Sequence, residues 1–193
     1  MKKFLSLAAG TALALSIFAG GEKASASSEA ENNSMQSDSF EEYVLELLRV
    51  DYPNAQIITP EESKQQLTSF SGVMPFASAP PLTYLEVYSA WSSNYGKDEY
   101  FSANQLSSNI DHGGEKMYIV TKEIGYGHVR NAKLDGEKLK QIEQIDFDIN
   151  GDRIVDGVYA KWDASGYEGG KFTVSNISSN YPWNTMSDTI NIK

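Results

Sequence analysis

The sequence predicts a mainly β protein: a single β-sandwich-like domain with a short helical N-terminal segment. Three observations carry that prediction. From Pro80 onward, Tyr, Val, Ile, Phe, Thr and Trp gather in short runs, the residue types that suit a pleated, half-buried surface. Gly, Asn, Asp and Ser separate those runs at close intervals, as a domain of repeated short strands requires. Helical spacing of apolar residues is confined to the acidic stretch ahead of Pro81.

Residues 1–26 read as a signal peptide. Lys2 and Lys3 form a positive start, FLSLAAGTALALSIFAG (4–20) an apolar stretch, and Ala24-Ser25-Ala26 a cleavage site. The apolar run is short for a membrane span and rich in Ala and Gly, and no later segment is long and apolar enough to cross a bilayer. The chain is therefore expected to be secreted. It has no Cys, so neither a lipobox nor a disulfide can form, and stability must come from core burial, to which a bound ion could add.

Residues 27–79 form an acidic, partly helical pro- or accessory segment ending in a linker. SSEAENNSMQSDS (27–39) has no apolar periodicity and reads as a flexible tail. Ser39 suits a helix N-cap, with Glu41 and Glu42 in the first turn. Phe40, Tyr43, Val44, Leu47 and Leu48 keep helical spacing until Pro53 ends the pattern. A second short helix is expected after Thr59, with Pro60 in first position beside Glu61 and Glu62. SFSGVMPFASAPP (69–81) suits a linker or processing site. Two readings stay open: a propeptide cut near Ala77-Ser78-Ala79, or a helical arm packed on the β domain.

Residues 80–193 carry the expected β domain. Strands are predicted in LTYLEVYSAW (82–91), KMYIVTKEIGYG (116–127), QIEQIDFDI (141–149), VDGVYAKWD (155–163), GKFTVSN (170–176) and DTINIK (188–193). The helix formers of GEKLKQIEQ suggest a helix over 136–144. Net charge is −10: residues 1–26 hold +2, residues 27–79 hold −7 and residues 80–193 hold −5. That balance disfavours nucleic acid and anionic surfaces as partners.

DFDINGDRIVDG (146–157) is the densest polar motif. Counted from Asp146 it opens like an EF-hand loop, but Arg153 and Gly157 fall where an apolar residue and a bidentate Glu belong. Counted from Asp148, the side chains of Asp148, Asn150, Asp152 and Asp156, with the carbonyl of Ile154, match a short calcium loop between two strands. Arg153 takes a place usually held by Gly, and a non-Gly residue at positive φ costs about 1 kcal/mol. The alternative is a polar hairpin turn at Asn150-Gly151. Zinc is disfavoured, since no His or Cys lies in the loop.

Catalytic signatures are sparse. His112 in DHGGEK and His128 in GYGHVR are the two histidines, and neither G-x-S-x-G nor H-E-x-x-H occurs. Glu86 is the acid a glycosidase-like carboxylate pair would need, with no second acid placed beside it by spacing. Trp91, Tyr95, Tyr100, Tyr167, Tyr181 and Trp183 could line a sugar platform or pack as core.

The runs APPLTYLEVYSAWSSNYG, DHGGEKMYIVTKEIGYG, IDFDINGDRIVDGVYAKWDASGY and GKFTVSN, with NTMSDTI after it, resemble the YolA-like family of small secreted Bacillus proteins. The resemblance spans about Pro80 to Lys193. It implies secretion and one compact domain, and it supplies no catalytic residue. It also implies Gly at the place of Arg153.

The expected function is an extracellular binding module, calcium-stabilised and monomeric, whose partner is a cell-envelope, glycan or protein surface. The alternatives are a small hydrolase using His112 or His128, and an antibacterial protein with an N-terminal pro-segment.

Overall fold

A computed structural model describes residues 39–59, 61–62 and 80–193. The expected signal peptide, the tail before Ser39 and most of the linker lie outside the described residues.

Helix α1 (Phe40–Asp51) begins where Ser39 Oγ accepts from the Glu42 amide at 3.3 Å, and Glu41 and Glu42 face the positive end of its dipole. Phe40, Tyr43, Val44, Leu47 and Leu48 are buried, the stripe that 3.6-residue periodicity dictates. Strand β1 (Gln56–Ile58) follows. Thr59 and Glu62 then exchange a reciprocal cap: Thr59 N and Oγ1 donate to Glu62 Oε2 at 2.9 and 3.1 Å, and Glu62 N donates to Thr59 Oγ1 at 3.3 Å. Those bonds, with a smaller contribution from Arg153, hold the Glu62 carboxyl below the usual range.

The remaining strands are β2 (Tyr84–Ser92), β3 (Asp98–Tyr100), β4 (Met117–Ile124), β5 (Asn131–Leu134), β6 (Glu137–Lys138), β7 (Lys140–Asp148), β8 (Gly157–Asp163), β9 (Gly170–Ile177) and β10 (Thr185–Ile192). They form two antiparallel sheets, ordered β1-β7-β8-β4-β2-β3 and β10-β9-β5-β6. Among the described residues the fold is thus mainly β and sandwich-like, with one short N-terminal helix. The helix suggested for 136–144 is corrected: those residues form β6 and β7. Pairing of Lys140–Phe147 with β8 overrides their helix propensity, because strand formation is decided by neighbours more than by intrinsic preference.

Between the sheets, Leu85, Val87, Met117, Ile119, Trp162, Leu134, Phe172, Val174 and Ile190 pack into the main core. On the opposite face of the six-stranded sheet, α1 covers Trp91, Val120, Phe147 and Tyr159 in a second core. The large sheet is therefore buried on both sides, which is why β4 and β8 read as nearly continuous burial. Helix, strand β1 and sandwich belong to one compact unit. A bulge between Val87 and Ser89 resets the alternation of β2. In that stretch the amide of Val87 donates to Asp188 Oδ2 of β10 at 2.8 Å, tying the two sheets together. No helix among the described residues is long and apolar enough to cross a membrane.

Candidate functional site

The structure gathers four sets of functional side chains, beginning with the Asp-rich loop. Strands β7 and β8 stay paired up to Phe147 and Gly157, so residues 149–156 form a wide loop and not a two-residue Asn-Gly turn. Gly151 and Arg153 both adopt positive φ, 80° and 65°. Asp148 is buried; its Oδ1 accepts from the amides of Asn150 and Gly151 at 2.9 and 2.7 Å, and its Oδ2 from Arg153 at 2.6 Å. Asn150 Oδ1 accepts from the Asp152 amide, Asp152 Oδ1 from Ile154, and Asp156 Oδ2 from Ile149, at 2.9, 2.8 and 2.8 Å. Each side chain thus curls the backbone by capping an amide two or more residues away. Asp148, Asn150, Asp152, Ile154 and Asp156 share this curl, whereas Asp146 lies on β7, bonded to Gln144. Among the described residues, no three His, Cys, Asp or Glu side chains draw together as a metal-holding group.

His112 forms the second set. Its Nε2 lies 3.0 Å from Glu99 Oε2 and its Nδ1 lies 3.2 Å from Ser92 Oγ. A carboxylate only accepts, so Nε2 is the donor of that pair. Glu99 also accepts from the amides of Asn109 and Ile110 at 2.7 and 3.1 Å. Burial pushes its carboxyl up, but these amides and His112 outweigh it, and the pKa sits below the usual range. Serine, histidine and acid stand in line, as in a hydrolase. Ser92 and His112 are, however, sealed at 0 and 1 % exposure, so the hydroxyl cannot meet a substrate carbonyl. The trio locks the 105–112 loop, and the His112 amide holds the carbonyl of Lys193 at 2.5 Å. His128, by contrast, is exposed, with Ser179 Oγ 3.3 Å from its Nδ1.

The third set surrounds Glu86. A pocket of about 150 Å³ opens beside β2, lined by Tyr84, Glu86, Phe101, Asn104, Gln105 and Asp188 among others. Sequence spacing could not supply Asp188, which arrives from the other sheet. Tyr84 donates to Glu86 at 2.6 Å. That hydrogen bond, with burial and the nearby carboxylates, pushes the Tyr84 hydroxyl up to about 12. Both Asp188 oxygens accept backbone amides, those of Val87 and Thr189, which fixes this carboxylate as a cross-sheet tie.

Glu123, Arg130 and Asn176 form a fourth set that sequence reasoning missed. Arg130 Nε and Asn176 Nδ2 both donate to Glu123 Oε2, at 2.8 and 2.9 Å. Glu123 is fully buried; burial raises its carboxyl pKa despite the guanidinium beside it. The alternation of KMYIVTKEIGYG offers no sign that this one acid faces inward.

The aromatic residues grade from core to surface: Tyr167 is partly buried against the main core, and Tyr95 and Tyr100 are 40 and 51 % exposed. Trp91 is core at 2 % exposure, whereas Tyr181 and Trp183 stand 76 and 63 % exposed. Their rings meet edge to face, 5.4 Å apart. The loop beneath them is fixed: Ser178 N donates to Asn184 O and Trp183 N to Asn180 O, at 2.9 and 2.8 Å. Trp183 itself adopts φ 53°, a left-handed conformation unfavourable for a bulky residue. Tyr126 and Val129 are exposed on the neighbouring segment, which meets this loop where Ser179 N donates to Tyr126 O at 2.9 Å.

No curated protein matches the chain. The family model described as "Domain of unknown function (DUF4879)" matches residues 75–192, from the linker to the penultimate residue. That span takes in all four sets of side chains and more than half of the sequence, and the chain belongs to this family of unknown function.

Proposed function

We propose that this is a secreted, calcium-stabilised binding module that meets a glycan or protein of the cell envelope through the Tyr181–Trp183 loop. One observation carries the reading: two large aromatic side chains are held out in solvent by a hydrogen-bonded loop, with one of them in a strained backbone conformation. Strain retained at an exposed apolar site is a mark of function rather than of stability. His128 and Ser179 lie on the same two segments, their side chains 3.3 Å apart, so polar groups accompany the rings, the combination that sugar and protein surfaces both engage. Secretion rests on the leader-like residues 1–26 and on the YolA-like resemblance. Calcium rests on the spacing of Asp148, Asn150, Asp152, Ile154 and Asp156 and on their shared curl, since hard oxygen ligands from alternate positions suit that ion.

The test exploits tryptophan burial. Trp91 and Trp162 are each 2 % exposed and Trp183 is 63 % exposed, so a soluble quencher reports mainly on Trp183. Titration with solubilised cell-wall glycan and with cell-surface protein extract should protect that fluorescence and shift it to shorter wavelength. Trp183→Ala should abolish co-sedimentation with whatever protects it. Undiminished quenching throughout, with co-sedimentation equal in both proteins, would remove this loop as the contact surface.

A further inference from the structure

Asn150-Gly151 is the single Asn-Gly pair of the chain. A glycine after asparagine leaves its own amide nitrogen unshielded, because no Cβ crowds the approach of the carboxamide before it. The pair lies in the loop that joins β7 to β8. Both residues are exposed, and Gly151 holds φ 80°. The space where a side chain would stand on Gly151 is open, with no atom beyond its chain neighbours within 4 Å. Asn176, by contrast, is fully buried and precedes the β-branched Ile177.

Two clamps hold the reacting groups of the pair on different partners. The Gly151 amide donates to Asp148 Oδ1 at 2.7 Å, and the same oxygen accepts the Asn150 amide at 2.9 Å. Asn150 Oδ1 instead accepts from the Asp152 amide, one residue beyond Gly151, at 2.9 Å. Asp148 is itself fixed: it is 1 % exposed, and its other oxygen accepts from the Arg153 amide at 2.6 Å. A carboxylate against the Gly151 N–H also opposes loss of that proton, which would set two anions side by side.

We propose that Asn150 is a site of spontaneous covalent modification, deamidated through a cyclic imide with Gly151, and that Asp148 restrains it. The Gly151 nitrogen gives its proton to solvent base and bonds to Asn150 Cγ, and the side-chain nitrogen leaves as ammonia. Water then opens the five-membered imide at one of its two carbonyls, giving aspartate or isoaspartate at position 150. No oxidant or reductant takes part. Aspartate keeps an acceptor for the Asp152 amide and adds a carboxylate between Asp148 and Asp152. Isoaspartate lengthens the backbone by one carbon and breaks the curl. The reaction proceeds from the locally opened loop and needs no ion and no binding partner, so it stands independently of the function proposed above.

The test uses the full chain, incubated at neutral and at mildly alkaline pH with chelator present. Trypsin cuts after Lys140 and Arg153 and releases residues 141–153, in which Asn150 is the one asparagine. That peptide should gain the mass of an amide-to-acid exchange, located at residue 150 by fragment ions, and isoaspartyl methyltransferase should label it. The gain should be faster at the higher pH. Wild type unfolded in urea should react about tenfold faster than native protein, because the hydrogen bonds at the pair are open. Native Asp148→Ala should approach the urea rate, and Asn150→Gln should stay unlabelled. Where Asp148→Ala loses its native dichroism, Asp148→Ser is read in its place. An unchanged peptide in urea would remove the site, and a native Asp148 variant as slow as the wild type would remove the restraint; either overturns the proposal. Equal rates for native and urea-unfolded wild type overturn it without any variant.

Discussion

Asp51, in the last turn of α1, accepts a 2.5 Å hydrogen bond from Nζ of Lys122, a β4 residue 71 positions away. A carboxylate at a helix C-terminus opposes the dipole, so the lysine is what stabilises it there. Asp51→Ala leaves a buried ammonium group without its carboxylate. Because Asp51 keeps 28 % side-chain exposure, the expected cost is about 1–3 kcal/mol, below that of a fully buried pair. Lys122→Met, which keeps the packing and removes the charge, should fall within about 1 kcal/mol of the wild type. Urea unfolding of both variants measures the contrast.

Glu99 gives the fold an acid limit. Its folded carboxyl releases its proton more readily than the unfolded one. Its stabilisation is therefore present above the ordinary glutamate range and is lost as pH falls through the lower folded value. Thermal melts should show the wild type weakening between about pH 5 and pH 3, and Glu99→Gln starting less stable at pH 7 but losing less across that window.

Glu123 has the opposite sign. Burial raises its folded pKa, so it favours folding below the unfolded pKa, and that contribution disappears as pH rises through the folded one. Glu123→Gln keeps acceptors for Arg130 and Asn176 without the charge. Its stability relative to the wild type should improve as pH rises from about 4 to 7, read by chemical denaturation at each pH.

Arg153 is the strained position of the Asp-rich loop, at φ 65°. Relief of left-handed strain is worth roughly 1–2 kcal/mol, while glycine costs about 0.5–1 kcal/mol in unfolded-state entropy, so Arg153→Gly should be neutral or gain up to about 1.5 kcal/mol. If calcium fills the curl, millimolar calcium should raise the melting temperature by several degrees over chelator, equivalent to about 2.7 kcal/mol at 100 times the dissociation constant. Asp152→Asn is the discriminating variant, because it keeps an acceptor for Ile154 N and removes a carboxylate. Asp148→Ala confounds ion loss with three abandoned amides. Identical melts with and without calcium would leave the curl as a self-capped loop.

Trp183→Ala removes an exposed ring, and its stability should stay within about 0.5 kcal/mol of the wild type. Calorimetry checks this, so that any loss of binding can be assigned to contact and not to unfolding.

The sequence made the longer strands legible because β2, β4, β8 and β9 combine β-branched and aromatic residues with clear turn signals. The short strands β3 and β5 carry Asp98, Glu99, Asn131 and Lys133 and exist through pairing with β2 and β9, which local composition cannot express. The α1 stripe and its Ser39 cap were legible because both are local. At the candidate sites, the ligand-like spacing of residues 148–156 was visible and the fate of its oxygens was not. The meetings of His112 with Glu99, of Val87 with Asp188 and of Glu123 with Asn176 join residues 13 to 101 positions apart. No spacing rule reaches that far without the topology.

The double burial of the large sheet also orders events in time. The seat of α1 is built from β2, β4, β7 and β8, so it is incomplete until Asp163 has been made. At about 5–20 residues per second the helix waits roughly ten seconds after its own synthesis. A twelve-residue helix is marginal alone in water. The first described element to leave the ribosome is therefore among the last to settle, and it spends that interval with Phe40, Leu47 and Leu48 uncovered.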